Sequence, residues 1–354
     1  MFAMAYRNRA GSIARLVAGN FLGALLLLLQ GCATPQTDAL LASPPARLPA
    51  RIELGSVPYF AQEAHQCGPA TLAMAMGAAG VAITPEQLEP QIYLPEKNGS
   101  LQIEMQAATR RHGLLAYQPA ANLPALLDEI AGGNPVIVLQ NLGLDWYPVW
   151  HYAVAIGYDL ERREIILRSG PEQRQPLSLR TFEHTWQRSG YWALMPLSPT
   201  RLPRSDEAER YLAGAIALEQ TKQLKAARSA YATALTRWPD NLSARMGLGN
   251  TAYALGDFAA AETAFRAATL QFPQTAAAFN NLADTLARQK KYREALTPAQ
   301  RAVQLGGEQS AVYAATLREI EAALKTPAAK KASTTKPMPK TGAGKPPAQG
   351  NTRN

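Results

Sequence analysis

Cysteine and histidine are scarce in this chain of 354 residues, which contains two cysteines and four histidines. Two cysteines allow at most one disulfide, so a fold held by a disulfide framework is excluded. No histidines and cysteines stand at the paired spacing of a metal site, and no glycine-rich phosphate-binding loop is present. We therefore expect neither a metal nor another cofactor. The four histidines are His65, His112, His151 and His184.

Acidic residues are absent from both ends of the chain. Residues 1–31 carry three arginines and no acid, and residues 325–354 carry seven lysines and arginines and no acid. The formal net charge of +9 therefore resides in the two ends, and the middle of the chain is nearly neutral. A neutral middle offers no basic docking face, so we expect no nucleic-acid partner. The length predicts two or three domains.

The N-terminus has the pattern of a secretory signal, with arginines before an apolar run over residues 16–29. This run is shorter than the roughly 20 apolar residues that a transmembrane helix needs. The following Leu-Gln-Gly-Cys, residues 29–32, resembles a bacterial lipobox. That resemblance implies a signal peptide over residues 1–31 and a lipid on Cys32. An ordinary signal peptide with a chance cysteine is the alternative.

The lipobox resemblance also carries an expected location. No aspartate follows Cys32, and in a Gram-negative cell this implies an outer-membrane lipoprotein that faces the periplasm. Residues 32–50, which contain four prolines, are predicted to form a tether. If Cys32 is lipidated, Cys67 is the only thiol of the mature protein.

Residues 51–198 are predicted to form an α+β domain. Helical patterns come first, and apolar strands with a mostly antiparallel arrangement follow. The predicted helices cover residues 67–79, 85–92, 100–112 and 123–131. The predicted strands cover residues 135–141, 151–159, 164–170 and 190–197.

The region that follows is rich in alanine and repeats with a period of 34 residues, seen in Tyr231 and Phe265 and again in Pro239 and Pro273. This spacing resembles the tetratricopeptide repeat, in which each unit is a pair of antiparallel helices. Residues 204–325 are thus predicted to be an all-α solenoid with a capping helix, and a generic helical bundle is the alternative. Residues 326–354 have almost no large apolar side chains and are predicted to be a disordered basic tail. The three tetratricopeptide-repeat units are expected at residues 208–241, 242–275 and 276–309.

Cys67 is the first residue of a predicted helix. The N-terminus of a helix favours the thiolate form of a cysteine. His151 begins a predicted apolar strand and is the best placed of the four histidines to act as general base and acid. Gln62, five residues before Cys67, can donate its amide to an oxyanion. A buried inert thiol remains the alternative for Cys67.

Two segments of this chain, some 80 residues apart, are VPYFAQEAHQCGPATLAM and HYAVAIGYDLERREIILRSG. They are similar to two segments of the papain-like double-glycine leader peptidases. These are cysteine peptidases of the bacteriocin-processing type. The resemblance covers residues 55–197 and implies a papain-like fold with Cys67 as nucleophile, His151 as base and Gln62 as oxyanion donor. The whole chain resembles a bacterial subgroup of lipid-anchored peptidase-like proteins with repeats.

One position departs from that family. Its members usually have an aspartate that orients the histidine, and the matching residue here is Ser169. Serine can hydrogen-bond an imidazole but carries no charge to stabilise imidazolium, so the site could be slow or inactive. Asp159, at the far end of the histidine strand, is too distant to replace it. Trp146, Tyr147 and Trp150 are expected either in a cleft wall or in core and turn packing.

The sequence therefore predicts a lipid-anchored envelope cysteine peptidase that acts on a peptide or protein substrate. Its repeats would bind a protein partner or the substrate. The first alternative is an inactive peptidase-like scaffold that binds peptides, which Ser169 favours. The second is another enzyme on the same fold, such as a transpeptidase, an amidase or a cell-wall hydrolase of the NlpC type, although AQEAHQCGP matches the last poorly.

Overall fold

The structure, a computed structural model, describes residues 34–61 and 66–325. An α+β domain is followed by consecutive helices, which confirms the predicted fold class. No helix in these two ranges is long and apolar enough to cross a membrane. Several sequence predictions lie outside the described residues: the signal peptide, lipidation of Cys32, the role of Gln62 and the basic tail.

The α+β domain is built from short elements. Its helices are α1 (Pro35–Ala42), α2 (Cys67–Ala78), α3 (Pro85–Ile92), α4 (Gln102–Arg111), α5 (Leu123–Ala131) and α6 (Leu179–Gln187). Its strands are β1 (Arg51–Glu53), β2 (Tyr93–Leu94), β3 (Gly99–Ser100), β4 (Leu115–Tyr117), β5 (Val136–Asn141), β6 (Trp150–Asp159), β7 (Glu164–Ser169), β8 (Glu172–Ser178) and β9 (Ala193–Leu197).

Seven strands form one antiparallel sheet in the order β4-β9-β5-β6-β7-β8, with β1 paired to the end of β6. Strands β5 to β7 are buried on both faces, which explains why they read as continuous apolar runs rather than alternating ones. Ile137 and Leu139 of β5 pack on the side of α2, and Val136 and Val138 pack on the side of α5 and α6. Strands β2 and β3 form a separate hairpin.

The segment before β1 differs from the predicted tether. Residues 35–42 form α1, in which Thr37 and Leu40 are buried against the domain. The N–H groups of Gln36 and Thr37 donate to the buried carboxylate of Glu183 at 3.0 and 2.6 Å. Proline is tolerated in a first helical turn, so Pro35 begins a helix here instead of extending the chain.

The helical region consists of three antiparallel pairs and a final helix, at the positions that the 34-residue period predicts. Tyr231 and Phe265 are both buried, and their rings pack on two glycines of the helix that lies between them, Tyr231 on Gly247 and Phe265 on Gly249. The first pair shares a hydrophobic core with the α+β domain, because Tyr211 and Leu212 pack in the same cluster as Leu115. The helices are α7 (Ala208–Gln220), α8 (Leu224–Arg237), α9 (Leu242–Ala254), α10 (Phe258–Gln271), α11 (Ala276–Arg288), α12 (Tyr292–Leu305) and α13 (Ser310–Lys325).

Candidate active site

Cys67 is the first residue of α2, a helix whose next nine residues are all buried. The apolar run behind the cysteine forces the helix into the core against the sheet, and the thiol stays half-buried at its N-terminal end. Thr71 donates its hydroxyl to the carbonyl of Cys67 at 2.7 Å. The helix start that presents the thiol is therefore held by its own first turn.

His151 lies near the start of β6, and its Nε2 is 2.8 Å from the hydroxyl oxygen of Ser169 at the end of β7. The two strands are antiparallel, so the end of β7 comes beside the start of β6. The structure thus brings Ser169 beside the imidazole of His151, where the family resemblance places an orienting residue. Because Nε2 contacts Ser169, Nδ1 is the ring nitrogen left to exchange a proton with a thiol.

Burial acts against charge on both groups. It is the main cause that raises the pKa of the Cys67 thiol, and it alone lowers the pKa of His151. Hydrogen bonds from the N–H groups of Tyr152, Gly68 and Cys67 itself lower the thiol pKa, with a smaller effect than burial. The resting site therefore favours a neutral thiol and a neutral imidazole over a thiolate–imidazolium pair.

Cys67 and His151 open into one cleft of about 730 Å³. One wall is the β2–β3 hairpin and the turn that follows it, including Ser100 and Leu101. Trp150 also lines the cleft. The wall is fixed to the histidine strand because Tyr152, the residue after His151, donates its hydroxyl to the carbonyl of Ser100 at 3.1 Å. The size suits a segment of polypeptide.

The cleft wall explains the glycine after Cys67. A side-chain carbon at Gly68 would lie 2.6 Å from Cβ of Ser100 and would also collide with its hydroxyl. The Ser100 hydroxyl itself is buried and has no hydrogen-bond partner among the residues that the structure describes. Ser100 is thus a residue of the cleft wall, packed against Gly68, that the sequence did not indicate.

A second unforeseen residue is Arg168, a buried arginine next to Ser169 on β7. Its guanidinium donates to the carbonyls of Val57 at 2.7 Å and Gln173 at 2.9 Å, and it lies over the ring of Tyr59. It thereby holds the segment before Cys67 against the strand that carries Ser169. The signal was visible in the sequence as one charge inside the apolar run EIILRS.

The remaining histidines and aromatic residues have other places. His112 ends α4 and His184 lies on α6, and neither lines the cleft. Trp146 is 81% exposed and Tyr147 70% exposed, and neither lines the cleft, so of the expected places only the turn applies to these two residues. Trp150, 52% exposed, is the one member of this aromatic group that forms part of the cleft.

Comparison with known families agrees with this architecture. Residues 55–194 match the model of the Peptidase_C39 like family, and residues 204–261 and 246–310 match the tetratricopeptide repeat. The chain thus contains a peptidase-like, C39-like domain followed by tetratricopeptide repeats. A search of curated proteins found no match. The C39-like match spans both Cys67 and His151, which supports the resemblance on which these two residues were chosen.

The chain is also similar to solved structures. The Yersinia enterocolitica secretion chaperone SycD, solved with a peptide of the translocator YopD, is 17% identical; the match covers 33% of this chain and 95% of SycD, with a TM-score of 0.32. The TPR2B domain of yeast Sti1, solved as a pHsp70 complex, is 17% identical; the match covers 33% of this chain and 98% of that domain, with a TM-score of 0.32.

Proposed function

We propose that the C39-like domain is a cysteine peptidase that cleaves peptide bonds through Cys67 and His151. One observation carries the proposal. The thiol lies at a helix N-terminus in the same cleft as an imidazole whose far nitrogen is 2.8 Å from Ser169. A nucleophile, a base and a group that orients the base are the parts that covalent acyl transfer requires.

The reaction follows from these positions. Nδ1 of His151 takes the thiol proton as the sulfur of Cys67 attacks the substrate carbonyl, and the N–H groups around the sulfur stabilise the developing oxyanion. His151 then gives the proton to the leaving amine, and a thioester remains on Cys67. Water, deprotonated by His151, hydrolyses the thioester and restores the thiol. Gln62 is proposed as a further oxyanion donor.

The rest of the chain is proposed to bring this site to its substrate. Lipid on Cys32 would anchor the protein in the cell envelope, at the outer membrane facing the periplasm. The repeats would bind a protein partner or an extended substrate. In support, Asn250 and Asn281 form a hydrogen-bonded pair beside Tyr253 and Asp284 in a cavity of about 190 Å³, and such polar groups can bind a peptide backbone.

A second candidate function is a peptide-binding scaffold without turnover. Two observations favour it: Ser169 provides no carboxylate to stabilise imidazolium, and burial raises the pKa of the Cys67 thiol. Both disfavour the ion pair on which fast cysteine peptidases depend. The cleft would then bind a polypeptide without forming a thioester.

The test combines thiol reactivity with turnover in the full chain. The alkylation rate of Cys67 is measured against pH in the wild type, in His151→Ala and in the control His112→Ala, which removes a histidine outside the cleft. Cleavage of a peptide library is followed by mass spectrometry in the same proteins. We expect His151→Ala to lower kcat by about 10²–10⁴-fold, as loss of a general base does. His112→Ala should behave as the wild type.

The thioester distinguishes the two candidate functions. An acyl adduct on Cys67, absent from Cys67→Ser, supports the peptidase. If peptides bind equally well to the wild type and Cys67→Ser, and no cleavage occurs with either, the scaffold function is correct. A Cys67 alkylation rate indifferent to His151→Ala at every pH would show that the two residues do not act together.

A further inference from the structure

The turn between β5 and β6 is a continuous exposed apolar surface, which we call the aromatic hairpin (residues 142–150). Six of its nine residues are large apolar side chains with exposures between 49% and 81%. Isolated exposed apolar residues are ordinary, whereas a contiguous patch of this kind marks an interaction site. The six residues are Leu142, Leu144, Trp146, Tyr147, Val149 and Trp150.

The aromatic hairpin is held rigidly in this exposed state. The buried side chain of Asn141 accepts hydrogen bonds from the N–H groups of Gly143 and Val149, both at 2.9 Å. Leu144 and Tyr147 exchange two backbone hydrogen bonds of 3.1 Å at the tip. Because the hairpin is ordered before anything binds, little conformational entropy is lost when its apolar side chains are covered.

The cleft does not account for the hairpin. Of its six apolar residues only Trp150 lines the cleft. A substrate bound across Cys67 would therefore leave the other five exposed. Whatever covers Trp146 and Tyr147 approaches from outside the cleft.

Helix α6 connects the hairpin with the start of the described chain. At the N-terminal end of α6, Arg180 donates to the hydroxyl of Thr34 at 3.0 Å. Just past the C-terminal end, Arg188 donates to the carbonyl of Gly143 in the hairpin at 2.5 Å. Eight residues of helix separate the two arginines, a distance of about 12 Å.

We propose that the aromatic hairpin inserts into the membrane interface when Cys32 is lipidated, and this inference rests on the anchor proposed above. Cys32 precedes the buried Thr34 by two residues, which span at most about 7 Å. With α1 docked, no long tether separates the anchor from the domain. The bilayer surface is therefore within reach of the hairpin, and tryptophan and tyrosine are the residues that favour this interface.

The charges on this face indicate how it binds. Arg180 is paired with Asp38 at 2.5 Å, and Arg188 with Asp145 at 3.7 Å, so neither arginine is an uncompensated charge. Attraction to anionic lipids is therefore weak, and burial of apolar surface carries the interaction. Contact between the hairpin and the bilayer should accordingly be insensitive to salt. Trp150 joins the hairpin to the cleft rim, so the cleft would open at the membrane surface and take membrane-proximal polypeptides.

The test is fluorescence quenching with the full lipidated chain. The protein is reconstituted into vesicles of phosphatidylethanolamine and phosphatidylglycerol, with and without lipids brominated in their acyl chains. We expect brominated lipid to quench the tryptophan emission of the wild type. The double variant with Trp146→Ser and Tyr147→Ser should lose most of that quenching while it remains vesicle-bound. Leu270→Ser, which alters a residue 79% exposed on the repeats, is the matched control and should behave as the wild type.

Two outcomes would overturn the inference. In the first, lipidated wild-type protein is vesicle-bound but is quenched no more than the double variant. In the second, the double variant binds peptides tenfold more weakly in detergent solution, which would make a polypeptide the occupant of the hairpin. The intact mass of the wild type tests the anchor separately: without lipid on Cys32 this inference fails, whereas the peptidase proposal is judged on alkylation and cleavage.

Discussion

The C39-like domain and the repeats differ in how sequence determines structure. In the repeats each helix packs on its neighbours, and equivalent positions hold the same kind of residue, as Tyr231 and Phe265 do. In the C39-like domain the cleft combines segments far apart in the chain, and single buried polar groups such as Arg168 hold them together. Periodic packing tolerates change at many positions, whereas a site built from unique contacts depends on each of them.

The two regions are not separate bodies, because the first repeat belongs to the core of the C39-like domain. A side-chain carbon at Gly214 would lie 2.9 Å from Leu115, so helix α7 packs almost directly on β4. Tyr231 of the first repeat lies in the cluster that contains Leu115, and Phe265 of the second repeat lies in a different cluster. The shared core therefore ends just past the first repeat, at Ala244 in the first helix of the second repeat.

The largest expected effect comes from removing these two aromatic rings. Tyr231→Ala and Phe265→Ala should each destabilise their surroundings by about 3–5 kcal/mol, since each leaves a cavity against a glycine. Tyr231→Ala should lower the urea midpoint of both regions. Phe265→Ala should lower only that of the distal repeats. Far-UV circular dichroism reports the helices, and alkylation of Cys67 in urea reports the C39-like domain.

Phe265→Ala serves as the control, because both rings are buried and each packs on a glycine of α9. An equal fall of the alkylation midpoint in both variants would mean that the protein unfolds as a single unit. The end of the shared core just past the first repeat would then not separate two units that unfold independently.

A smaller effect is expected at the segment that connects the two regions. The fully buried carboxylate of Glu129 accepts hydrogen bonds from the N–H groups of Arg204 and Ser205 and from the side chain of Asn134, at 2.9 to 3.2 Å. Glu129→Gln replaces one carboxylate oxygen, which accepts a hydrogen bond, by an NH₂ group, which can only donate. That NH₂ group then faces an N–H group without a hydrogen bond between them. We expect a loss of about 1.5–3 kcal/mol, the value of hydrogen bonds to charged groups, measured by urea unfolding.

Glu209→Gln removes a similar charge from an exposed position on α7 and should change stability by less than about 0.5 kcal/mol. If the two substitutions have the same effect, the connection between the regions relies on apolar packing alone. The carboxylate of Glu129 would then contribute nothing beyond its volume.

The same contrast explains what the sequence could and could not predict. The helix pairs followed from a 34-residue period, and Cys67 and His151 followed from short motifs with a chemical requirement. Helix α1 was missed because its stability comes from Glu183, almost 150 residues away, and the four prolines of residues 32–50 suggested an extended chain. Ser100 was missed because its importance comes from its approach to Gly68, which no local pattern records.

Ser169 was predictable in position, but its electrostatic consequence was not. The motif predicts Ser169 at the end of the strand that follows the strand of His151. Its hydroxyl oxygen lies 2.8 Å from Nε2 of His151. Only the structure shows that burial opposes charge on both Cys67 and His151. Ser169 therefore supplies no carboxylate to Cys67 and His151, two groups whose neutral forms burial already favours.

The smallest expected effect follows from Ser169→Asp, which adds the missing charge. A carboxylate beside Nε2 raises the pKa of His151 and stabilises imidazolium, and this in turn stabilises the thiolate of Cys67. We expect the pH at which Cys67 becomes reactive to fall by about one unit, and its alkylation rate at neutral pH to rise about tenfold, equivalent to about 1.4 kcal/mol. The alkylation rate against pH measures both.

The control is Ser169→Asn, which matches aspartate in shape but lacks its charge. If Asn accelerates alkylation as much as Asp, the orientation of the ring limits the site rather than the charge. If neither substitution changes the pH profile, the hydrogen bond from Ser169 does not act on Cys67, and the scaffold function gains support. A response to Asp alone would show that one buried charge sets the speed of this site, a sensitivity that the exposed charges of the repeats should lack because solvent screens them.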